Sequence, residues 1–396
     1  LPVRRKGQKV WRMVEVKSSS KVTDTHKDDV AIQAYIARVS GVNLDSVALA
    51  HIDSRWVYPG GVDYQGLLKE VDLTDEAFGR AEEVKDWIAS AQTIVRKRKE
   101  PEIGVGRHCS EPYPCCFLDY CQRNADEVEF PVTWLPGNKN KMLRNLIEVE
   151  GVSDLRQVPD ELLNPKQLRV KTHTLAGSVY FNADGAAAEL ARHKLPALFL
   201  DFETINFAVP IWKGTRPFQQ IPFQFSLHRL SRTGKLTHRE FIDLSVQDPS
   251  RRFAEALIAA CGERGPIFVY SAFESSRISE LAKRFPRLAR PLLAIDDRLV
   301  DLLPIASEHY YHPDQQGRWS IKNVLPTIAP DLRYDELDGV QDGGMAMMAF
   351  REALHPDTEG SRKARIERQL LDYCRLDTEA MVRVWRHFVR SANLGI

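Results

Sequence analysis

The chain has 396 residues, more than a single hydrophobic core usually organises, so its length predicts at least two domains. Apolar residues make up 43% and charged residues 28% of the sequence, a balance that excludes an intrinsically disordered protein. No stretch approaches the roughly 20 uninterrupted apolar residues of a membrane-spanning helix. The net charge of +1 neither requires nor excludes a polyanionic partner. As a separate expectation, the sequence has the character of a bacterial-type cytoplasmic protein.

The first segment, residues 1–130, opens with a strand pattern at Val10–Lys17. A helix from about Asp28 to Val39 and a strand at Val47–Ile52 follow. The charged, amphipathic stretch Thr74–Arg98 predicts one long helix. Its end carries a basic run, Arg96–Lys99, which can contact phosphates but is more often a solvated helix end.

Beyond residue 130 the pattern changes twice. Residues 131–195 are interpreted as a helical connector with short helices at Met142–Glu150 and Leu155–Val158. Residues 196–396 alternate strands with helices, which predicts an α/β domain. Its predicted strands are Ala197–Phe202, Pro222–Leu230, Glu240–Leu244 and Ile267–Tyr270, and its predicted helices are Arg251–Cys261, Ser275–Phe285, Gly344–Leu354 and Ser361–Val389.

Two acids stand at the end of the first strand predicted in this domain. Asp201 and Glu203 are separated by one residue, so their side chains point to the same face of the strand. Like charges this close repel each other unless a cation lies between them, and carboxylate oxygens suit Mg²⁺ or Mn²⁺. A solvated strand end with two chance acids is the alternative.

Tyr373 and Asp377 lie four residues apart in the last predicted helix, so they share one of its faces. A phenol beside a carboxylate can orient a water molecule that a metal ion has acidified. Taken alone, such a pair is more often a surface hydrogen bond.

Together, the Asp-x-Glu strand and the Tyr-x-x-x-Asp helix resemble the tyrosine-bearing DEDD exonucleases, which have an RNase H-like, DnaQ-type fold. The resemblance implies that Asp201, Glu203 and Asp377 bind metal, and that Tyr373 positions the attacking water. It implies two Mg²⁺ or Mn²⁺ ions and 3′→5′ hydrolysis of single-stranded DNA or RNA. Glu274 takes the place of the family's third acid, normally Asp, and this departure bears on rate and metal preference.

Other segments extend the resemblance. Ser320–Leu325 is similar to a helix start found in these folds. Asp301 matches an additional acid of many DnaQ-like domains, although a helix cap is an equal alternative. The whole segment Phe199–Trp385 resembles a bacterial RNase H-like family usually fused behind a RecB-type nuclease, with His309–Asp314 and Asp338–Gly344 as characteristic stretches.

The N-terminal segment contains Glu15 and Lys17 on one strand face, three serines after the lysine, and Gln33 on the next helix. This arrangement resembles the RecB-family and CRISPR-associated PD-(D/E)XK nucleases, whose fold is restriction-endonuclease-like. The resemblance implies that Glu15 binds Mg²⁺ and that Lys17 acts on the attacking water. The family's earlier Asp would precede Leu1, so we expect a partial domain that does not cut without upstream sequence.

Four of the six cysteines fall between Cys109 and Cys121, which favours metal binding over a disulfide framework. The set resembles the iron–sulfur variant of these nucleases and implies Cys109, Cys115 and Cys121 as ligands of a [4Fe–4S] cluster. A fourth ligand would lie upstream, or adjacent Cys116 would substitute. Zinc is the main alternative, because thiolates suit both metals.

A final candidate follows the first catalytic strand. Trp212, Lys213, Arg216 and Phe218 combine aromatic and cationic groups that can stack on and hold a terminal nucleotide. Core packing of Trp212 and Phe218 is the alternative. The sequence as a whole predicts a metal-dependent nuclease, with a catalytically silent nucleic-acid-binding module as the alternative, and it identifies no protein partner.

Overall fold

The computed structural model describes residues 1–5, 7–123, 128–137 and 139–390. Its strands and helices confirm a mixed α/β protein. The chain forms two compact units, the first comprising Leu1–Glu127 with Asn206–Gln219 and the second Val128–Ile205 with Gln220–Ile396. Residues 131–195, the predicted connector, thus belong to the second unit. Within the described ranges, none of the helices combines the length and apolar character that crossing a membrane demands.

The first unit is built on a four-stranded sheet in the order β1-β2-β3-β4. Strands β2 and β3 are parallel and are connected by α1, whereas both edge strands pair antiparallel. Val30 and Ala34 of α1 pack on Val47 and Leu49 of β3, which covers one face of the sheet. The elements are β1 Pro2–Arg5, β2 Gln8–Lys17, α1 Asp24–Val39, β3 Leu44–Ile52, β4 Leu68–Asp72, α2 Thr74–Gly79, α3 Ala81–Val95 and α4 Leu118–Arg123, with a 3₁₀ turn at Arg107–Cys109.

The single long helix predicted from Thr74 to Arg98 is wrong, because the stretch forms two helices, α2 and α3. The break falls at Arg80, after Gly79, a residue of low helix propensity. Arg80 donates hydrogen bonds of 2.7 Å each to Asp28 and Glu83. A contact with Asp28 of α1 therefore fixes the position of the break. The hydrophobic periodicity of the stretch contains no information about this contact, so it could not predict the break.

The second unit contains a five-stranded sheet in the order β10-β9-β6-β7-β8. Strands β10, β9 and β6 run parallel, and β7 and β8 continue the sheet antiparallel. Its strands are β5 Tyr180–Phe181, β6 Ala197–Ile205, β7 Ile221–Leu230, β8 Leu236–Ile242, β9 Ile267–Val269, β10 Leu299–Asp301 and β11 Tyr310–Tyr311. Its helices are α5 Lys141–Glu148, α6 Pro165–Leu175, α7 Ala183–Leu190, α8 Ser250–Cys261, α9 Phe273–Arg284, α10 Ala289–Asp296, α11 Leu302–His309, α12 Ile321–Ile328, α13 Gly343–Leu354 and α14 Gly360–Arg390. Its 3₁₀ turns are Val132–Trp134, Leu155–Gln157, Asp160–Leu162, Pro286–Leu288, Pro313–Gln315 and Tyr334–Glu336.

Helices cover both faces of this sheet. Phe199 and Phe268 pack with Trp385 of α14 on one face. Leu198 and Leu200 pack with α8, α9 and α10 on the other face. Because side chains alternate along a strand, the odd-numbered residues of β6 point toward α14.

Strand β6 is longer than its sequence indicated. Thr204 and Ile205 continue the pairing with β7 after a register shift that follows Glu203. Asp201 and Glu203 therefore lie within a paired strand and not at its end, and the expectation of a strand-end position is wrong. Their face is covered by α14, which brings the far end of the sequence to them.

Candidate metal centre

Three acids converge between β6 and α14. Asp201, Glu203 and Asp377 each offer a carboxylate oxygen, and these oxygens all lie within 4.8 Å of one another. Glu203 and Asp377 are buried, and Asp201 is partly buried. Across the described ranges, no other group of three or more His, Cys, Asp or Glu residues meets this criterion. The predicted pairing of the strand motif with the helix motif is thus present as geometry.

The electrostatics of the three acids are unfavourable without a cation. Burial, followed by the charge of Asp377, raises the pKa of Glu203 to about 8 and that of Asp201 well above its ordinary range. Burial also raises the pKa of Asp377 to about 6. Carboxylates held this close and away from water resist ionisation. Hard divalent cations prefer such an oxygen donor set, so the residues present fit Mg²⁺ or Mn²⁺.

Glu274 stands at the edge of this group. It is 3% exposed, and its position in the first turn of α9 favours a negative charge. Burial is the main cause that raises its pKa to about 7, and the charges of Asp301 and Asp377 add to it. Its oxygens are not among those within 4.8 Å of one another, so Glu274 is close enough to interact but lies outside the trio.

Asp301 serves as a helix cap. It ends β10, and its Oδ1 accepts a hydrogen bond of 2.9 Å from the backbone N–H of Leu303 at the start of α11. Its charge raises the pKa of Glu274, which places it near the acids as well.

Two tyrosines contact Asp377. The Tyr334 hydroxyl donates a hydrogen bond of 2.6 Å to Asp377 Oδ1, and Tyr373 lies close enough to lower the pKa of the same carboxylate. Burial, followed by the charge of Asp377, raises the pKa of both phenols above the ordinary range. Both therefore remain protonated hydrogen-bond donors. The sequence indicated Tyr373 but not Tyr334, which lies 43 residues from its partner.

A lysine lies beside both tyrosines. Lys322 Nζ is 4.9 Å from the ring centroid of Tyr334 and 5.0 Å from that of Tyr373, and it donates a 2.7 Å hydrogen bond to the carbonyl of Gln341. Its positive charge lowers the pKa of Glu203 and Asp377, partly opposing the effect of burial. The sequence analysis identified the segment Ser320–Leu325 by its resemblance to a helix start of DnaQ-type folds, but it assigned no role to Lys322.

The Tyr334 hydrogen bond leads to a prediction. Tyr334→Phe is expected to raise the Kd for Mn²⁺ by about tenfold, because the hydrogen bond that orients the Asp377 carboxylate is lost. Titration of the purified protein with Mn²⁺, monitored by calorimetry, measures this shift. Tyr180→Phe, a partly buried tyrosine of β5 away from the acids, is the matched control. Equal Mn²⁺ affinity in the two variants would contradict the role of Tyr334 in orienting the Asp377 carboxylate as a metal ligand.

In the first unit, Lys17 bridges two acids. Its Nζ lies 3.0 Å from Glu15 Oε1 and 2.7 Å from Asp29 Oδ2, and these hydrogen bonds raise the lysine pKa. Glu15 and Lys17 are thus adjacent, as their spacing on one strand predicted. Gln33 is exposed one helical turn after Asp29, on the same face of α1. The sequence did not indicate Asp29 as a partner of Lys17, because α1 contains several charged residues and nothing in the sequence distinguishes Asp29 from the others.

The cysteine-rich segment brings Cys109 and Cys115 together through the backbone, since the Cys115 N–H donates to the carbonyl of Cys109 at 2.8 Å. Cys109 is buried, Cys116 is exposed, and all six cysteines are free thiols. Among the described residues, no three of these sulfurs lie within 4.8 Å of one another. Zinc–sulfur bonds are about 2.3 Å long, so the segment does not display a closed zinc site.

The segment 206–219 packs as part of the first unit, where Tyr58 exchanges backbone hydrogen bonds with Gly214 and Thr215. Trp212 is buried, and its ring meets the ring of Phe207 edge-on with centroids 5.4 Å apart. For Trp212, this agrees with core packing, the alternative to nucleotide stacking. The other three candidate nucleic-acid ligands of this segment are exposed, namely Lys213, Arg216 and Phe218.

Comparison with known proteins adds one finding. A family model described as a domain of unknown function, DUF2779, matches residues 198–320, less than half of the chain. The match includes Asp201, Glu203 and Glu274 and ends before the helix that carries Tyr373 and Asp377. No curated protein and no solved structure matches the chain.

Proposed function

We propose that the second unit is an RNase H-like, DEDD-type 3′→5′ exonuclease that hydrolyses phosphodiester bonds of single-stranded DNA or RNA. The observation that carries this proposal is the convergence of Asp201, Glu203 and Asp377 within 4.8 Å from elements distant in sequence. Buried like charges of this kind destabilise a fold, so a functional role explains their presence better than a structural role does.

The charge balance supports two cations. Four carboxylates, the ammonium of Lys322 and one substrate phosphodiester carry four net negative charges, which two divalent ions neutralise. Asp201, Glu203 and Asp377 would hold Mg²⁺ or Mn²⁺, with Glu274 at the edge of the set. When bound, such ions acidify a water molecule and offset charge on the phosphate.

The chain's own residues would do the orienting. Tyr334 fixes Asp377 Oδ1, so the other oxygen of that carboxylate is the one presented to a ligand. Tyr373 is a protonated donor and cannot act as a general base, so its role would be to hold a water or a phosphate oxygen in place. Lys322 would hold the rings of Tyr334 and Tyr373 in place through its two cation–π contacts. Its positive charge would also favour the ionised form of Glu203 and Asp377.

We propose also that the first unit is part of a PD-(D/E)XK-type domain. The parallel β2–β3 pair joined by α1, with Glu15 and Lys17 side by side on β2, supports this proposal. The [4Fe–4S] cluster on Cys109, Cys115 and Cys121 stays a prediction.

The test is hydrolysis of a 5′-labelled single-stranded oligonucleotide with Mn²⁺. We expect a ladder of progressively shorter labelled products, because removal from the 3′ end retains the 5′ label. EDTA and the variant Asp201→Asn are expected to abolish the ladder. Immediate release of a labelled mononucleotide would indicate the opposite polarity, and products that persist unchanged in Asp201→Asn would overturn the assignment of the site.

A further inference from the structure

A cavity of about 390 Å³ lies on the face of the second unit's sheet opposite the acids. Leu198 of β6 and Leu227 of β7 line its base, and the end of α8 with the following turn forms a wall. Leu198 is even-numbered and packs on the α8 side, whereas Asp201 and Glu203 point toward α14. The volume is in the range of small-ligand sites and far exceeds the space that one water needs.

Three arginines line this cavity, Arg229 of β7, Arg239 of β8 and Arg264 of the turn. All three are exposed, and no acid pairs with them among the described residues. Other arginines of the unit do have partners, such as Arg252 with Asp243 at 2.7 Å. Glu263 is the one carboxylate among the residues that line the cavity, so the three guanidinium groups leave an excess of positive charge, which an anionic ligand neutralises.

The wall of the cavity is rigid. Arg298 donates hydrogen bonds to four backbone carbonyls of the turn, those of Cys261, Gly262, Arg264 and Gly265, at 2.6 to 3.2 Å. Gly265 has a φ of +91°, and a Cβ there would meet the Pro196 carbonyl oxygen at 2.3 Å. The turn that carries Arg264 is therefore fixed before any ligand arrives, which reduces the entropy cost of binding.

We infer that this cavity binds a phosphate group, independently of the metal centre. Glu263 also lines it, so three guanidiniums and one carboxylate leave two positive charges, which match a phosphate monoester dianion. Arginine presents paired N–H donors that fit phosphate oxygens, and Thr237, whose side chain carries a hydroxyl donor, lines the same cavity. A free nucleotide and the backbone or end of a nucleic acid both carry this chemistry.

Isothermal titration of the full chain in EDTA tests the inference, because without divalent ions the carboxylate site has no attraction for phosphate. The probes are AMP, pyrophosphate, and oligothymidylate with and without a 5′-phosphate. We expect saturable binding that the double variant Arg229→Gln/Arg239→Gln weakens by about a hundredfold, since each charge-assisted hydrogen bond contributes roughly tenfold or more. Arg264→Gln, on a separate element, is expected to weaken it by about tenfold.

Arg290→Gln, an exposed arginine of α10 that does not line the cavity, is the matched control and is expected to bind like the wild type. Binding of AMP and pyrophosphate identifies a free phosphate as the ligand. Binding of only the 5′-phosphorylated oligonucleotide identifies a strand end, and equal binding of both oligonucleotides identifies the backbone. If none of the probes binds, or if the double variant binds as tightly as Arg290→Gln, the inference is wrong. Because EDTA removes the metals, these results do not depend on whether the chain is a nuclease.

Discussion

Asp377→Asn is expected to lower Mn²⁺-dependent hydrolysis by at least about a thousandfold while making the metal-free protein more stable at about pH 8. A metal ion contributes several kcal/mol of charge stabilisation to the transition state, and about 4 kcal/mol corresponds to a thousandfold in rate. Asn retains an oxygen that accepts the Tyr334 hydrogen bond, so the position of the side chain is preserved. What the variant loses is the negative charge.

The gain in stability has the same origin as the loss of activity. Asp377 is 7% exposed, and burial raises its pKa to about 6, so the charged form is unfavourable in the folded protein. Its charge in turn raises the pKa of Asp201 and Glu203. Removing it relieves a cost of roughly 1–3 kcal/mol, as a pKa unit corresponds to about 1.4 kcal/mol. Thermal unfolding in EDTA measures this effect as a higher Tm.

Asp331→Asn is the matched control, because Asp331 is an exposed carboxylate of the same unit that pairs with Arg383 at 2.9 Å. It is expected to leave activity unchanged and Tm nearly so, since exposed ion pairs contribute about 0–1 kcal/mol. If the Asp377→Asn variant remains active, Asp377 is not a ligand of the metal centre. A variant that is inactive but less stable in EDTA would show that the carboxylate is structural.

The elements of the second unit were predictable where local patterns decide them. Short apolar runs placed β6, β7 and β9, and helical spacing of apolar residues placed α8 and α14, each within a few residues of its observed bounds. The break at Arg80 and the continuation of β6 through Ile205 were not predictable, because each depends on a partner distant in sequence. Glu274 lies in the first turn of α9, which begins two residues before the predicted start, Ser275.

The candidate site divides in the same way. The pairs Asp201 with Glu203 and Tyr373 with Asp377 are local, so strand and helix periods determined which faces they share. Their convergence rested on family resemblance, because no local pattern relates β6 to α14. Tyr334 carried no recognisable motif, and it becomes visible only where the fold brings the 3₁₀ turn Tyr334–Glu336 to the acids.

Added Mg²⁺ is expected to raise Tm far more at about pH 8 than at about pH 5.5. Glu203, Glu274 and Asp377 have pKa values raised to about 8, 7 and 6, above those of an unfolded chain. The folded protein therefore holds more protons than the unfolded one across this range, so stability from these groups is complete below about pH 4 and falls as pH rises. At acid pH protons occupy the ligand oxygens and compete with the metal, whereas at alkaline pH Mg²⁺ replaces them.

Histidines oppose this trend in the metal-free protein, so the difference between Mg²⁺ and EDTA is the quantity to measure. Burial lowers the pKa of His228 to about 4, and it also lowers the pKa of His193, His238 and His387. Their contribution rises with pH but is complete by about pH 7, and it is the same with and without Mg²⁺. At a hundredfold excess over Kd the metal adds about 2.7 kcal/mol, and roughly 2–4 °C per kcal/mol is expected for a domain of this size. The increment should vanish in Asp377→Asn and persist in Asp331→Asn. A Tm increment that is equal at both pH values would mean that Mg²⁺ binds elsewhere than at these carboxylates.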